Sequence, residues 1–485
     1  MDLENFPARE TAKDMLSMIS PIYDRSYVGK WIFQVMAASM ELARETVEDM
    51  KNQAFPETAT WSLPWWEERY GITGNEGKSL EERRRPIVQK RNTKRPMNPY
   101  RIAALVAEIS GREVEIYENV APHTYEVIIR PGSSNVDLAA VAEEIYKVMV
   151  YVPKFKMSDV IDGAGDSTHP AFIVNGKEVP GIWISKYQNI VNNGRAYSLP
   201  GQDPTVNITW DTARGYCESK GKGWHMMTKA EWAAIMLWCK KNGFQPWGNN
   251  NYGKDSRETL QQAIPATYGS GTDAGKIYHV LTGTGPLTWS HNKQLDGIWD
   301  LNGNVSEWTG ALRTVKGELQ LLENNNGANS DNPQTATSTA WKAIDATTGA
   351  FITPDGNGTT ANSIKIDATG TGGAQWCKTI TKTSENFSCA LGALTCSADI
   401  SDAAKAVLRA YGLLPVDGAK ASDYDDDRLW FNNVADERLF HSGGYYGIGT
   451  RAGVGYSNGD WTSRGLVDVS IGWRSAYVDL ESVGL

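Results

Sequence analysis

The stretch Gly297-Ile-Trp-Asp-Leu-Asn-Gly-Asn-Val-Ser-Glu-Trp308 places two glycines and two tryptophans within twelve residues. Glycines let a loop cross close to neighbouring backbone, and the large indole rings fill the space beneath it. The chain as a whole holds 47 glycines and 18 tryptophans. This composition predicts a loop-rich fold whose long connections are held by large aromatic side chains.

A second set of glycine and aromatic landmarks closes the chain. It comprises Arg438, Gly443-Gly444, Arg451-Ala-Gly453 and Ile471-Gly-Trp-Arg-Ser-Ala476. Both sets together resemble the sulfatase-modifying-factor branch of the C-type lectin fold, which includes formylglycine-generating enzymes. The resemblance covers about residues 170–485 and implies a loop-rich C-type-lectin-like domain. An insertion is predicted at about 312–420, with a β-hairpin between Asn324 and Gly373.

The closing segment also resembles the variable proteins of diversity-generating retroelements, which are phage lectin-fold proteins whose last stretch is mutagenised to alter receptor choice. That resemblance implies a ligand-binding surface between Gly444 and Ile471. Tyr and Trp offer large rigid contact areas, whereas Ser, Asn and Gly adapt. The alternative is an ordinary polar surface loop, because single aromatics are common on surfaces. The predicted ligand-binding residues are Tyr445, Tyr446, Ile448, Thr450, Arg451, Tyr456, Asn458, Asp460, Trp461, Thr462, Asp468 and Ser470.

Motifs in residues 1–155 resemble the Mu-like phage tail family often called YmfQ or XkdU-like, a baseplate component. They are Leu63-Pro-Trp-Trp-Glu-Glu-Arg-Tyr-Gly71, Ser79-Leu-Glu-Glu-Arg-Arg-Arg85, Asn98-Pro-Tyr-Arg-Ile-Ala103 and Ala121-Pro-His-Thr-Tyr125. The resemblance implies attachment within the tail baseplate. Ser79 and Glu82 predict a capping box, in which each side chain satisfies the other's free amide. Pro86 departs from the family's uninterrupted helix and is expected to kink or end it, because proline lacks the amide donor.

Hydrophobic periodicity predicts an α+β fold class, with a helical and small α+β domain over residues 1–155. Helices are predicted over 26–50, 98–111 and 137–149, and strands over 113–117 and 125–130. The turn formers between Asp162 and Pro170 carry no periodicity and predict a linker over 156–169. Beyond it, a capped helix is predicted over Lys229–Lys241 and a second helix over Ser401–Tyr411.

The bulk composition argues against several classes of protein. A net charge of -9 disfavours a general nucleic-acid binder, which needs a basic face. The sequence has no run of eighteen apolar residues, so membrane insertion is not expected. Five cysteines without a C-x-x-C pair predict neither a zinc site nor a disulfide framework. Synthesis in the reducing cytoplasm of a host cell fits these thiols best.

Each enzymatic interpretation fails because a residue that the chemistry requires is absent. Gly455-Tyr-Ser-Asn-Gly459 fits a hydrolase nucleophile elbow, but that fold needs a histidine after the serine, and His441 is the last histidine. Formylglycine synthesis needs a redox-active cysteine pair late in the domain, and no cysteine follows Cys396. We therefore predict no enzyme activity, no catalytic residue and no cofactor.

No metal site is predicted either. The carboxylates of 423–427 are spaced like the start of an EF-hand, but Arg428 stands where glycine is required. The enzymes that the domain resembles hold Ca2+ near their counterpart of the first motif, which makes Asn304 and Glu307 candidate ligands. We favour the interpretation that both side chains brace the loop through hydrogen bonds to backbone.

The sequence thus predicts a receptor-binding protein of a phage tail, located in the virion at the baseplate or fibre tip. Residues 1–155 are expected to contact baseplate or tail proteins, and residues 170–485 a bacterial surface receptor, either protein or glycan. A homo-oligomer such as a trimer is expected, without nucleic-acid partners. The alternative is a purely structural baseplate or decoration protein with no host-receptor role.

Overall fold

A computed structural model describes residues 6–19, 26–70, 72, 77–92, 106–107, 113–121, 124–129, 149–192, 194–370 and 373–485. The chain divides into two compact units, Met1–Met97 and Asn98–Leu485. The helix predicted over 98–111 lies outside the described residues except for 106–107, and the one predicted over 137–149 lies outside them except for Met149.

The first unit is helical over its described residues. Its helices are α1 (Glu10–Ser17), α2 (Tyr27–Gln53), α3 (Leu63–Tyr70) and α4 (Leu80–Asn92). The long helix predicted over 26–50 is confirmed, and Ser26 caps it by accepting a hydrogen bond from the Gly29 amide at 3.1 Å. The predicted capping box is also confirmed. The Ser79 amide donates to Glu82 Oε2 at 2.9 Å, and the Glu82 amide donates to Ser79 Oγ at 3.3 Å.

Helix α4 continues through Pro86, so the expectation that it ends there is wrong. Contacts on both sides hold the helix together. Arg83 donates to both carboxylate oxygens of Glu67, at 2.8 and 2.7 Å, and Ile87 is buried against Leu63. These contacts offset the one backbone hydrogen bond that proline cannot donate.

The second unit begins with an antiparallel pair, β1 (Val114–Ala121) and β2 (Thr124–Ile129), which confirms the two strands predicted there. The elements that follow as far as the first long strand are β3 (Met149–Pro153), α5 (Met157–Val160), β4 (Ile173–Val174), β5 (Lys177–Glu178), β6 (Gly181–Ser185), β7 (Asn189–Asn192), β8 (Arg195–Ser198), α6 (Trp210–Glu218), β9 (Trp224–Met226), α7 (Lys229–Lys241), β10 (Pro265–Tyr268) and β11 (Ile277–Val280). The remaining elements are β12 (Ser306–Val315), β13 (Glu318–Leu322), β14 (Trp341–Ile344), β15 (Phe351–Ile352), β16 (Lys365–Thr369), β17 (Gly373–Cys377), β18 (Phe387–Ala390), β19 (Thr395–Cys396), α8 (Asp402–Ala410), β20 (Arg428–Phe431), β21 (Arg438–Gly443), β22 (Gly453–Gly459), β23 (Ile471–Trp473) and β24 (Ser475–Tyr477).

Two sheets organise this unit. An antiparallel sheet in the order β3-β6-β24-β9 joins its early and late strands, with Ala476 opposite both Ile184 and His225. Met149 begins β3 and therefore does not belong to a helix, contrary to prediction. A larger sheet, of twelve strands over the described residues, has β12 near its centre and β22 between β20 and β21.

The segment predicted as a linker, 156–169, is packed into the second unit, so that prediction is wrong. Met157 and Val160 of α5 are buried in the main core. His169 is also fully buried, and its Nε2 lies 3.0 Å from the carbonyl oxygen of Ala410 at the end of α8. Long-range packing thus orders a stretch whose local composition is that of turns.

The two helices predicted beyond this segment are confirmed. Glu231 accepts from the Thr228 amide at 2.9 Å, and Thr228 Oγ1 accepts from the Glu231 amide at 3.3 Å, which completes a capping box on α7. Ser401 caps α8 by accepting from the Ala404 amide at 3.1 Å.

The Thr- and Asn-rich stretch between Asn324 and Gly373 contains the predicted hairpin as β14 and β15. Its strands also extend the large sheet, because β14 and β16 both pair with β13. Trp341 and Ile366 are fully buried. Large apolar side chains therefore order a stretch whose other residues are polar and small.

Candidate ligand-binding surface

The loop that leads into β12 is braced by Asn304, which is fully buried and left-handed, with a φ of 62°. Asparagine adopts this conformation more readily than most residues. Its Oδ1 accepts from the Val280 amide at 2.8 Å, and its Nδ2 donates to Gln188 Oε1 at 2.9 Å and to the Val280 carbonyl oxygen at 3.2 Å. The predicted bracing role is confirmed for this residue.

Glu307 is braced by a cation, so the predicted hydrogen bonds to backbone are wrong for this residue. Arg474 Nε and Nη2 donate to its two carboxylate oxygens at 2.9 and 2.8 Å, and Gln188 Nε2 donates at 3.1 Å. Arg474 also donates to the carbonyl oxygens of Ser185 at 2.6 Å and Trp299 at 2.7 Å. Both charged side chains are at most 2% exposed. The pair ties β12 to the closing segment.

Close backbone crossing accounts for the glycines of both motifs. A Cβ on Gly303 would lie 2.2 Å from the carbonyl oxygen of Asn249, and one on Gly443 would lie 2.9 Å from that of Leu301. Gly443 also has a φ of 87°. The Gly303 amide donates to the Gly443 carbonyl oxygen at 3.0 Å, so the two glycine motifs are in direct contact.

The structure divides the twelve predicted ligand-binding residues into two halves. Three are exposed and three are partly exposed: Thr450, Arg451 and Trp461, then Tyr445, Ile448 and Asp468. These six are termed the terminal surface. The other six, each at most 7% exposed, are Tyr446, Tyr456, Asn458, Asp460, Thr462 and Ser470. For them the expectation of an outward-facing side chain is wrong.

Strand pairing explains why these side chains are buried. Tyr456 and Asn458 lie on β22, and Asn458 is in register with both Trp430 on β20 and His441 on β21. A strand in the interior of a sheet that is covered on both faces buries its side chains on both sides. Thr462 lies beyond the strand but is held there, because its hydroxyl donates to the carbonyl oxygen of Leu439.

A row of aromatic rings leads from the exposed tryptophan into the sheet. The Trp461 ring is 42% exposed, and its centre lies 6.4 Å from that of His441. The His441 ring lies 5.9 Å from that of Tyr456. Burial raises the pKa of Tyr456, and the nearby Tyr445 raises it further. The exposed anchors Trp461 and Tyr445 therefore rest on buried rings.

Sequence reasoning missed two aromatic rings that an earlier loop and strand β11 contribute. Tyr445 packs edge-on against Tyr446 at 5.4 Å, and Tyr446 stacks on Tyr278 at 4.2 Å with an interplanar angle of 16°. Tyr252 lies 6.1 Å from Tyr446. Tyr252 stands in a loop and Tyr278 on the short strand β11, and neither belongs to a repeated spacing. Only the abundance of aromatic residues could have suggested their role.

Charges of both signs lie beside Tyr445. Burial raises the pKa of its hydroxyl, the carboxylate of Asp468 raises it further, and Arg451 opposes the shift. The Arg451 guanidinium lies 6.0 Å from the centre of the Trp430 ring, at the edge of cation–π range. The terminal surface thus offers aromatic area together with one cation and one anion.

Two titratable groups lie beneath this surface. Burial lowers the pKa of His441 to about 3, and neither of its ring nitrogens has a partner among the described residues. Burial also raises the pKa of Asp460 to about 6, although hydrogen bonds from the Trp461 amide and Asn458 oppose the shift. At neutral pH the imidazole of His441, beneath the terminal surface, is therefore uncharged.

The pKa of His441 predicts a pH-dependent contribution to stability. An unfolded histidine titrates near pH 6.5, whereas His441 in the fold titrates at about 3. Its contribution is therefore present above pH 6.5 and is lost as pH falls from 6.5 towards 3. When pH is lowered from 7 to 5, the native chain should lose about 2 kcal/mol more unfolding free energy than a His441→Phe variant, which has no imidazole to protonate. Urea unfolding at both pH values measures the difference, and equal losses in the two proteins would contradict this assignment.

The thiols are poorly placed for redox chemistry. All five cysteines are free, and four are buried. Burial raises the pKa of Cys217 to about 12 and that of Cys396 to about 11, which disfavours the reactive thiolate.

The described ranges contain neither a metal-binding cluster of side chains nor a membrane-spanning helix. There, no three His, Cys, Asp or Glu side chains come together as a metal site would require. Asp427 of the EF-hand-like segment instead accepts from the Gly455 amide at 2.7 Å. None of the helices in the described part of the chain is long and apolar enough to cross a membrane.

Two family models match the sequence. Residues 13–156 match the family described as Bacteriophage Mu-like, Gp48, and residues 115–348 match the Sulfatase-modifying factor enzyme 1-like domain. The chain carries both of these domains. The Gp48 domain supplies its N-terminal part and the sulfatase-modifying-factor domain, which is C-type-lectin-like, its C-terminal part. The mixed α+β fold class is confirmed.

Two curated relatives of the sulfatase-modifying-factor domain are named Inactive C-alpha-formylglycine-generating enzyme 2. The Bos taurus protein is 32% identical over 106 residues, which is 22% of this chain and 32% of the relative. The Mus musculus protein is 29% identical over 115 residues, which is 24% of this chain and 34% of the relative. The chain thus spans about a third of each relative's length.

Among solved structures, Treponema denticola variable protein 1 is similar to this chain. The similarity covers 68% of this chain and 94% of the variable protein, with 12% sequence identity and a TM-score of 0.26.

Proposed function

We propose that this chain is a phage tail protein that binds a bacterial surface ligand through its terminal surface. The observation that carries the proposal is that aromatic side chains at the surface pack on buried aromatic rings, which hold them in place. Trp461 is 42% exposed, and Tyr445 is partly exposed. Trp461 rests on the buried His441 ring of β21, and Tyr445 rests on the buried Tyr446 ring in the loop that follows β21.

The residue types favour recognition of a large ligand. Trp, Tyr and Arg dominate the energetics of protein interfaces, because they combine apolar area with a polar group. Anchors held in place before binding lose little conformational freedom when the ligand docks. Arg451 and Asp468 add charges of opposite sign that can fix the orientation of a protein or glycan ligand.

Binding rather than catalysis is the better fit to the residues. The terminal surface contains no nucleophile with an adjacent base, and the thiols are disfavoured as thiolates by burial. The curated relatives carry the word inactive in their names. We therefore propose that the C-terminal domain of this chain makes and breaks no covalent bond.

The Gp48 domain supports a place in the virion. Its match is to a bacteriophage family, and residues 1–155 are proposed to attach the chain to baseplate or tail proteins. Several copies on one particle would multiply a weak individual affinity into strong adsorption. A homo-oligomer such as a trimer remains part of the proposal.

Two measurements test the proposal. Immunogold labelling of purified phage particles should place the chain at the tail tip, and labelled full-length chain should bind cells of the host. Trp461→Ala should reduce cell binding, whereas Tyr151→Ala should not, because Tyr151 is also 42% exposed but lies on β3 in the other sheet. Tail-tip labelling without any cell binding would overturn the receptor role and favour a purely structural baseplate protein.

A further inference from the structure

Among the described residues of the first unit, one side of the longest helix is largely exposed. Helix α2 has 27 residues, which corresponds to a length of about 40 Å. At about 100° per residue, nine of its ten exposed large apolar side chains fall on one half of the helix surface, and Tyr27 lies outside that half. This α2 face consists of Val28, Trp31, Ile32, Val35, Met36, Met40, Leu42, Val47 and Met50, each between 43% and 67% exposed.

Helix α1 packs on the other side of α2. The Arg9 amide donates to Gln34 Oε1 at 3.2 Å, the Arg9 side chain pairs with Glu41, and Ala37 is fully buried. These three α2 residues lie on the side opposite the α2 face. The contact with α1 therefore uses the more polar side of the helix and leaves most of the apolar side exposed. At the N-terminal end of that side, the Phe6 ring lies 5.7 Å from the Trp31 ring.

The area of the α2 face is that of a stable interface. With roughly 100 Å² of exposed surface on each of these side chains, the face offers roughly 900 Å², and a stable complex needs about 800 Å² from each partner. At its C-terminal end the face continues into a pocket of about 300 Å³ lined by Met50, Trp61 and Trp65 among others. Apolar patches of this size on soluble proteins mark contact sites.

The charges beside the α2 face indicate what covers it. Glu45 and Asp49 lie along one edge, and Arg44 and Lys51 lie along the other edge at nearly the same height. Within one copy, Asp49 accepts a hydrogen bond from Trp61 Nε1 at 2.7 Å and Lys51 pairs with Glu48 at 2.7 Å, so Glu45 and Arg44 are the charges most available to a second copy. When two copies of a helix pack in parallel around a symmetry axis, one edge of the first copy meets the opposite edge of the second. Parallel copies therefore bring acidic and basic edges together, whereas antiparallel copies move these charges to opposite ends.

We infer that the α2 face is a self-association surface, on which α2 of a second copy of this chain packs in parallel and in register. The apolar side chains supply the affinity, and the charged edges set the orientation. The Gp48 domain would then hold copies side by side. This inference rests on the first unit alone and does not depend on what the terminal surface binds.

Cysteine crosslinking of the full-length chain tests the arrangement. Thr46 lies on the midline of the α2 face and near one end of α2, so a Thr46→Cys variant should form an intermolecular disulfide quickly under mild oxidation. Glu48 lies two residues further on the opposite side, so Glu48→Cys is the matched control and should crosslink at least about tenfold more slowly. Equal rates, or no disulfide at position 46, would overturn the inference.

Sedimentation of the full-length chain gives an independent measurement. The native chain should sediment as more than one copy, and the paired change Ile32→Lys with Val35→Lys should raise the dissociation constant at least about 100-fold. Both side chains are more than half exposed, at 52% and 56%, so the fold should be retained, which circular dichroism checks. A native chain that sediments as a monomer at micromolar concentration would overturn the inference, because another segment must then cover the face.

Discussion

A Glu307→Gln variant is expected to lose about 3–5 kcal/mol of unfolding free energy in the second unit. The native carboxylate accepts hydrogen bonds from Arg474 at 2.9 and 2.8 Å, and Arg474 is fully buried. The neutral amide leaves a guanidinium without a counter-charge in a site that water cannot reach. Because the pair joins β12 to the closing segment, its loss should also loosen the support of the terminal surface. Urea unfolding followed by tryptophan fluorescence measures the loss.

An exposed ion pair in the same unit is the matched control. Arg409 pairs with Asp417, whose side chain is 79% exposed. Asp417→Asn should change the unfolding free energy by less than about 1 kcal/mol, because solvent screens the pair. Similar losses in both variants would show that the buried pair has no special role in the fold.

The sequence predicts the glycine-dependent core of the C-terminal domain well. Gly303 and Gly443 stand in motifs that the sequence shows directly, although the backbone that leaves no room for a Cβ belongs to Asn249 in one case and to Leu301 in the other. Helix α7 is equally predictable from the sequence, since its capping box lies within four consecutive residues. Features that depend on neighbouring residues can be read from spacing alone.

The residues whose environment was predicted wrongly are held in place by partners far away in the chain. His169 follows a run of turn formers, and its order comes from Ala410, which lies 241 residues later. Tyr456 and Asn458 have the composition of a binding loop, yet pairing of β22 with β20 and β21 places them inside the sheet. Residue type alone does not distinguish an aromatic anchor from an aromatic support, because both need large rings.

That distinction decides which substitutions test ligand binding. Phage particles that carry Tyr445→Ala together with Trp461→Ala are expected to adsorb to host cells at least about 100-fold more slowly, since each interface anchor contributes about 2 kcal/mol or more. Their assembly and thermal stability should be nearly native, because Trp461 is 42% exposed and Tyr445 is partly exposed. Plaque counts after timed adsorption measure the effect.

A buried member of the predicted set provides the contrast. Tyr456 is 1% exposed, so Tyr456→Ala should lower the unfolding free energy by about 3–5 kcal/mol through the cavity it leaves. Any loss of adsorption in that variant should follow the loss of folded protein. If the double variant at Tyr445 and Trp461 adsorbs normally while Tyr456→Ala adsorbs poorly at native stability, the terminal surface is not where the ligand binds. The buried rings would then have to be reached by a rearrangement of the two connections that flank β22.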